Sequence, residues 1–236
     1  MEHRAHRRLQ LVSAHVVAAT DSRESTGLLR RNPPPPVTDA AAAVSATLRA
    51  GLSERCLALR TRMAAVDHAL LADVGAFVKA VEFAVRFDEW YTNQDGSVAS
   101  GLLDEAATRL KALEAGATDD VAEPTADGLV VRGYTSAIDG SDQPYGLEIP
   151  ASPPPAAGWP LYIWLHGSAS TTTDLRFIHG CQTAKQGGDS RPTPSGALVL
   201  HPFGRHCNGY KWAGELDVLD SITHIQTLYP VDPVSS

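Results

Sequence analysis

Residues 161–165 read LYIWL and are apolar on both of the faces that a β-strand presents. A central parallel strand, which helices cover on both sides, makes good use of such a run. Residues 197–200, ALVL, repeat the pattern. Helical patterns lie at residues 173–180, between the two runs, and at residues 215–228, after the second. This succession of strand, helix, strand and helix predicts a parallel α/β sheet.

Two shorter strands are expected ahead of this sheet. Residues 129–134 are rich in β-branched side chains, and residues 145–149 alternate between the two faces of a strand. Between them the string DGSD at residues 139–142 is typical of a hairpin turn. A calcium loop can begin in the same way, but the further oxygen ligands at its spacing are missing, so we predict the hairpin.

Three helices are predicted before the strands. Thr38 or Asp39 can cap the first helix. Apolar residues at three-and-four spacing between positions 70 and 85 predict the second helix, which should end near residues 93–96, NQDG. Gly116 is placed to stop the third helix. We interpret the apolar stripes of these helices as core packing and assign them no ligand.

These patterns divide the 236 residues into three parts. Residues 1–37 lack periodicity and end in four prolines, which indicates a disordered leader. A weakly apolar stretch after three arginines also permits a signal segment, so a cytoplasmic and a secreted location both stay open. Residues 38–118 form the helical N-terminal region, and residues 128–236 form the α/β part.

Composition excludes two classes of partner. A hydrophobic content of 43% and a charged content of 20% are those of a globular protein. The net charge of −7 argues against a general nucleic-acid surface, which needs clustered Lys and Arg to neutralise phosphates. The sequence has no run of 18 apolar residues, so we expect no membrane span.

The cysteines indicate no special chemistry. Cys56, Cys181 and Cys207 are too few and too scattered for a disulfide framework. Free or buried thiols are the expected state, with a single Cys181–Cys207 bridge left open. Together with nearby histidines the last two offer zinc-type ligands, but their spacing matches no compact pair-plus-pair site. We therefore predict neither a metal nor a cofactor.

The turn His166-Gly167-Ser168 directly follows the central strand. In an open α/β sheet, ligands bind at the carboxyl ends of the strands, so this turn should face the site. A glycine there lets the backbone approach a substrate closely and leaves amide N–H groups pointing at developing negative charge. That is what an oxyanion hole requires. The alternative is a plain turn that ends a strand.

A second loop, residues 201–217, leaves the next strand at the same edge of the sheet and is rich in glycine, aromatic and polar residues. Such a composition suits the wall of a pocket. Arg205 can grip a carboxylate, or it can pair with Glu215 or Asp217. The aromatic residues can form walls or pack beneath the loop. The candidate substrate-binding residues are Arg205, Asn208, Tyr210 and Trp212.

Several strings in this part of the chain resemble a bacterial group of α/β-hydrolases that is related to the prolyl-oligopeptidase (peptidase S9) catalytic domain and to feruloyl- and acetyl-type esterases. The strings are residues 133–134, 139–146, 164–167, 201–205 and 212–218. The helical stretch at residues 77–90 is similar to a helical region of the same group. The likeness covers roughly residues 65–236.

The resemblance implies an α/β-hydrolase-like sheet and a serine hydrolase of ester or peptide bonds, whose substrate is a small-molecule ester or a peptide. It implies a serine nucleophile at a strand–turn–helix elbow, a histidine base and an acid. It also places the oxyanion turn at His166, Gly167 and Ser168.

The sequence contains no G-x-S-x-G, the usual string around that serine. We therefore expect the triad beyond residue 236 and a chain that is truncated before its nucleophile and inactive as it stands. The nucleophile strand should lie beside residues 161–165, so its absence predicts an exposed apolar edge and poor solubility. The alternative function is a non-catalytic module that binds a ligand or a partner.

Overall fold

The computed structural model describes residues 44–117, 129–167, 169, 171–184 and 194–233, together with the backbone of residues 15–18. Within these residues the chain forms five helices and five strands. The helices are α1 (Ala46–Met63), α2 (Leu71–Phe87), α3 (Asp95–Glu114), α4 (Asp174–Thr183) and α5 (Ala213–Leu228). The strands are β1 (His15–Ala18), β2 (Val130–Thr135), β3 (Asp142–Glu148), β4 (Leu161–Leu165) and β5 (Leu198–Pro202).

The strands form one mixed sheet in the order β1-β4-β5-β3-β2. Strands β2 and β3 are an antiparallel hairpin, as the turn at residues 139–142 predicted. Strand β3 is also antiparallel to β5, whereas β4 and β5 are parallel and are connected through α4. The α/β class is confirmed, but the sheet is parallel only in part, because the hairpin brings an antiparallel pair into it.

Strand β4 is not an edge strand. Residues 15–18, which the sequence assigned to a leader, form β1 and pair in parallel with residues 162–165. Just before β4, Val231 makes a parallel bridge with Trp159, whose N–H donates to the carbonyl of Pro230 at 2.7 Å. The prediction of an exposed edge was therefore wrong. The reason for expecting poor solubility no longer applies. A short distant segment supplies the hydrogen bonds that we assigned to an absent strand.

Two apolar clusters cover the two faces of the sheet. One joins helices α1–α4 to Leu129 and Val131, at the start of the hairpin, so the helical region and the sheet share a core. The other packs Ile225 of α5 against β4 and β5. Helix α2 lies at the centre of the first cluster, and Phe77 and Val78 are completely buried there. Each such side chain contributes about 1.5–3 kcal/mol of hydrophobic stabilisation.

The boundary between α2 and α3 differs from the prediction. Helix α2 ends at Phe87, and Asp88 closes it in a left-handed conformation. The residues predicted to end this helix open the next one, because Asp95 accepts the N–H groups of Tyr91 and Thr92 and so fixes the entry to α3. A Cβ on Gly96 would lie 2.9 Å from the Leu48 side chain, so this glycine serves helix packing.

The first helix begins at Ala46, later than the sequence predicted, whereas the third helix ends where it was predicted to end. Ser45 caps α1 by accepting the N–H of Leu48 at 3.1 Å. The predicted caps Thr38 and Asp39 lie outside the described residues. Gly116 ends α3 with a φ of +78°, as predicted.

The three cysteines are free thiols, so the Cys181–Cys207 bridge that the sequence left open is not formed. Cys56 is buried between α1 and its neighbours, and this burial raises the pKa of its thiol to about 12. Among the helices of the described residues, none is long and apolar enough to cross a membrane.

Candidate functional site

A cavity of about 410 Å³ opens where β4 and β5 end, beneath helix α4. Its volume lies within the range of about 300–1,000 Å³ that is typical of small-molecule sites. It is lined by Trp164, His166, Gly167, Thr171, Thr172, Arg176, Phe177, Gly180, Cys181 and His201. The carboxyl ends of two parallel strands therefore meet at a concave site, as the sequence predicted for a ligand.

Two residues of the predicted oxyanion turn lie at this cavity. The backbone N–H of His166 donates to the phenolic oxygen of Tyr210 at 3.0 Å and so is not directed at a ligand. The N–H of Gly167 has no acceptor within the part of the chain that the structure describes. A Cβ added to Gly167 would meet nothing within 4 Å, so the space in front of this residue is open. Ser168 lies outside the described residues.

The ring of His166 ties the turn to the loop after β5. Its Nδ1 lies 2.9 Å from the carbonyl oxygen of Gly167, and its Nε2 lies 2.8 Å from that of Phe203. The ring also packs beside Phe177, with centroids 6.0 Å apart.

Tyr210 lies between the ends of the two parallel strands rather than on the cavity wall. Besides accepting from His166, its hydroxyl donates to the carbonyl of Pro202 at 3.2 Å. Its ring covers Gly204, where a Cβ would come within 2.6 Å of it. Burial raises the pKa of the phenol above its ordinary value, so the hydroxyl stays protonated and can donate.

Arg205 is held by two carboxylates. Its Nε lies 3.0 Å from Asp217, whose side chain is only 2% exposed, and its Nη1 lies 2.6 Å from Asp139. Its Nη2 donates to Ser136 Oγ at 2.6 Å. Hydrogen bonding from Arg205 holds the pKa of Asp139 well below its usual range. These contacts correspond to the structural alternative, pairing with Asp217, that the sequence suggested for this arginine.

The last two predicted substrate-binding residues also lie away from the cavity lining. The amide of Asn208 donates to the carbonyl of Gly204 at 3.0 Å and lies against Gly214, where a Cβ would be 2.5 Å from its oxygen. Trp212 projects into solvent with 80% of its surface exposed. The structure thus places His166 and Gly167 in the cavity lining. The four predicted loop residues do not line the cavity.

The loop after β5 holds an unusual concentration of left-handed backbone. Arg205, His206, Tyr210 and Trp212 have φ angles of 57°, 90°, 53° and 52°. They are four of the five non-glycine residues with positive φ in the described part of the chain. Such a conformation costs about 1–3 kcal/mol per residue and clusters at functional sites. The ion pairs of Arg205 and the hydrogen bonds of Tyr210 hold this loop in place.

Sequence reasoning missed a buried polar pair under the cavity. His201 of β5 lies 2.9 Å from Glu148 of β3, and both side chains are almost fully buried. Part of the signal was present in the sequence, because His201 is a titratable residue directly after the apolar run at residues 197–200. The pairing itself depends on β3 lying next to β5.

Sequence reasoning also missed the charged cluster at the start of α4. Lys79 and Asp174 form a buried ion pair of 2.8 Å, although its angle is not that of a hydrogen bond. Arg176 approaches Asp95 at 3.5 Å. Burial, with a smaller contribution from the charge of Asp174, raises the pKa of Glu89 to about 7. These charged residues come from separate elements of the chain, so no local sequence pattern could predict that they form a cluster.

Neither a metal centre nor a known relative explains the site. Within the described ranges, no group of three or more His, Cys, Asp and Glu side chains is arranged to hold a metal ion. No protein-family model, no curated protein and no solved structure matches this chain. The function has to be inferred from the cavity and its surroundings.

Proposed function

We propose that this chain carries the substrate-binding and oxyanion side of a serine hydrolase that acts on ester or peptide bonds. Gly167 carries the proposal, because it follows the carboxyl end of β4, lines the cavity and has an N–H without an acceptor among the described residues. An N–H so placed can donate to a carbonyl oxygen that becomes negative during acyl transfer. Removing one such donor typically costs about 10²–10³-fold in rate.

The sheet supports the proposal in a coarser way. The resemblance to α/β-hydrolases implies that the first strands are followed by parallel strands with helices. The order of β2, β3, β5 and β4 and their directions agree with this arrangement. The turn that resembles an oxyanion turn follows β4, at the position that the resemblance implies for it.

The sequence contains no G-x-S-x-G string, so we propose that these residues bind a substrate without cleaving it. Incubation with a fluorophosphonate probe, followed by peptide mass spectrometry, tests this directly. We expect no serine to be labelled above a heat-denatured control. Labelling of any serine in this chain would contradict the proposal that these residues do not cleave the substrate.

The oxyanion role of Gly167 is tested by NMR. On ¹⁵N-labelled protein, an added aryl ester such as methyl 2-naphthoate should shift the Gly167 amide proton downfield, because that proton gains an acceptor. Gly209 lies in an open part of the loop and serves as an internal control. Gly167→Ala keeps the N–H and has room for its methyl group, so it should keep the shift. If the ester shifts other amide signals but not that of residue 167, in the wild type and in Gly167→Ala, the oxyanion role of Gly167 is refuted.

A non-catalytic binding module is the second candidate, and one observation favours it. The outer edge of β4 is already paired by β1, and the cavity is formed within the described residues. A sheet so covered does not need another strand to protect its apolar residues. This candidate predicts a monomer that unfolds cooperatively and gains stability from a ligand, with no hydrolysis of any ester. Ester hydrolysis by this chain would exclude it, and would equally contradict the proposal that the chain binds a substrate without cleaving it.

A further inference from the structure

The wall of the cavity that is formed by the turn after β4 and the start of α4 offers donors without matching acceptors. No hydrogen bond of the Thr171 or Thr172 hydroxyls, or of the Gly167 N–H, is found within the described residues. Arg176 reaches the same space from the first turn of α4. Polar groups that converge on a pocket without internal partners are those that fix the orientation of a ligand.

The charge of Arg176 is only weakly compensated by its neighbour. Its contact with Asp95 is 3.5 Å long, at the limit of a hydrogen bond. The carboxylate of Asp95 already accepts three shorter bonds, from Tyr91 N–H and from the N–H and hydroxyl of Thr92, at 2.6–2.9 Å. Arg205, in contrast, is held by carboxylates at 2.6 and 3.0 Å. A guanidinium has five N–H donors, so Arg176 keeps donors for a ligand.

The other acids near Arg176 do not cancel its charge. Asp174, two residues before it, is paired with Lys79. Glu89, near Asp174, is driven towards its neutral form by burial. The start of α4, which Thr173 caps, adds a favourable dipole for an anion. No aspartate or glutamate lines the cavity, so among the described residues Arg176 is the lining side chain that carries a permanent charge.

Two aromatic side chains supply apolar surface to the same cavity. Trp164 and Phe177 line it, and the ring of Phe177 lies 5.0 Å from that of Phe203 behind it. A ligand that fills the cavity thus meets both aromatic rings and hydrogen-bond donors. A flat apolar body with one anionic group satisfies both.

We propose that the cavity selects ligands that carry a carboxylate on a flat apolar body, and that Arg176 binds this carboxylate. The inference rests on the proposed function in that it assigns the substrate class of the same cavity: esters or peptides with a free carboxylate besides the scissile bond. Arg176 is then a specificity-determining residue, while the Gly167 amide serves the reacting carbonyl.

Isothermal titration calorimetry of the full chain with 2-naphthoate and with its neutral analogue 2-naphthamide tests the inference. The naphthoate should bind at least ten-fold more tightly than the amide. Arg176→Gln should remove that preference and leave naphthamide binding unchanged. Arg55→Gln is the matched control, because Arg55 has a similar exposure, 39% against 35%, and pairs with Asp104, and neither residue lines the cavity. It should leave both affinities unchanged.

Equal affinity for the two ligands, or tight naphthoate binding to Arg176→Gln, would overturn the inference. If Arg176→Gln fails to fold, Arg176→Lys replaces it; this variant keeps the charge but loses the two-pronged geometry, and it should reduce naphthoate affinity several-fold. If a neutral ester shifts the Gly167 amide signal but naphthoate does not bind, only the proposed preference for a carboxylate is wrong. If neither the neutral ester nor naphthoate binds, the proposed function is wrong as well.

Discussion

The hydroxyl of Tyr210 accepts the backbone N–H of His166 at 3.0 Å, across 44 residues of sequence. The same hydroxyl donates to the carbonyl of Pro202 at the end of β5. One side chain thus joins the ends of the two parallel strands that frame the cavity. The position of the Gly167 amide therefore depends on a residue that does not line the cavity.

Replacing Tyr210 with Phe should loosen this connection. The variant leaves the His166 N–H without its partner, which should lower the free energy of unfolding by about 1–2 kcal/mol in urea denaturation. Tyr91→Phe is the control, because the Tyr91 hydroxyl makes no hydrogen bond to the described residues. It should unfold as the wild type does. Equal stability of all three proteins would show that the bridge contributes nothing.

Two glycines of the loop allow steric clash to be separated from backbone strain. Gly204 and Gly209 have similar φ angles, +64° and +67°. A Cβ would strike the Tyr210 ring at Gly204 and meet nothing at Gly209. Gly209→Ala should therefore cost about 1 kcal/mol for the positive φ alone, and Gly204→Ala should cost more, since the ring must also move. A smaller loss for Gly204→Ala in the same unfolding assay would contradict this packing.

Arg205 should be the most costly charged residue of the loop to replace. Arg205→Gln leaves Asp217 buried without its cation, which should destabilise the protein by about 3–5 kcal/mol. Arg62, whose pair with Glu114 is solvent-exposed, provides the comparison. Its Gln variant should stay close to the wild type in thermal unfolding. Similar losses for the two variants would show that burial of Asp217 does not matter.

Glu89 should make stability fall as the pH rises. Its folded pKa of about 7 lies above the ordinary value of 4.5, because burial disfavours the carboxylate. The stabilising contribution of the protonated form is thus complete below pH 4.5 and is lost as the pH rises through 7. Glu89→Gln should be more stable than the wild type at pH 8, on the order of 1–2 kcal/mol after solvent screening, and equal to it at pH 4.

The check is a series of urea denaturations from pH 4 to pH 8.5. Glu54→Gln, on the exposed side of α1, is the control and should run parallel to the wild type throughout. If the free energies of unfolding of Glu89→Gln and the wild type differ by the same amount at every pH, the ionisation of Glu89 is not the cause.

The thiols should differ in reactivity. Cys207 is half-buried at the turn, whereas Cys56 is buried and has its pKa raised to about 12. Because the thiolate is the reactive form, iodoacetamide at pH 8 should label Cys207 in the native protein and Cys56 only after denaturation. Peptide mass spectrometry distinguishes them. Rapid native labelling of Cys56 would contradict the packing of α1.

The elements that the sequence predicted well are those whose signal is local. The run at residues 161–165 became β4 with the same bounds, and the hairpin formed around residues 139–142. Apolar periodicity and turn residues act over a few positions, so they can be read directly from the chain. The end of α2 was misplaced because Asp95 was interpreted as a turn residue. Its side chain instead holds the entry to a further helix.

The candidate site was predicted less completely than the fold. The turn at His166 and Gly167 was found, because its place after an apolar strand is a local feature. The cavity residue Arg176 and the buried pair of Glu148 and His201 were missed. They come together only because α4 crosses over the sheet and β3 lies beside β5.

By itself, the sequence determined the α/β class, the main strands and helices, and the turn at the carboxyl end of β4. Hydrophobic spacing decides which segments form strands and which form helices. Only the tertiary structure decided that residues 15–18 cover β4, that Arg205 pairs with Asp139 across 66 residues, and that Arg176 lines the cavity. These are contacts between distant parts of the chain. Their geometry depends on how the layers pack, and no short stretch of sequence contains that information.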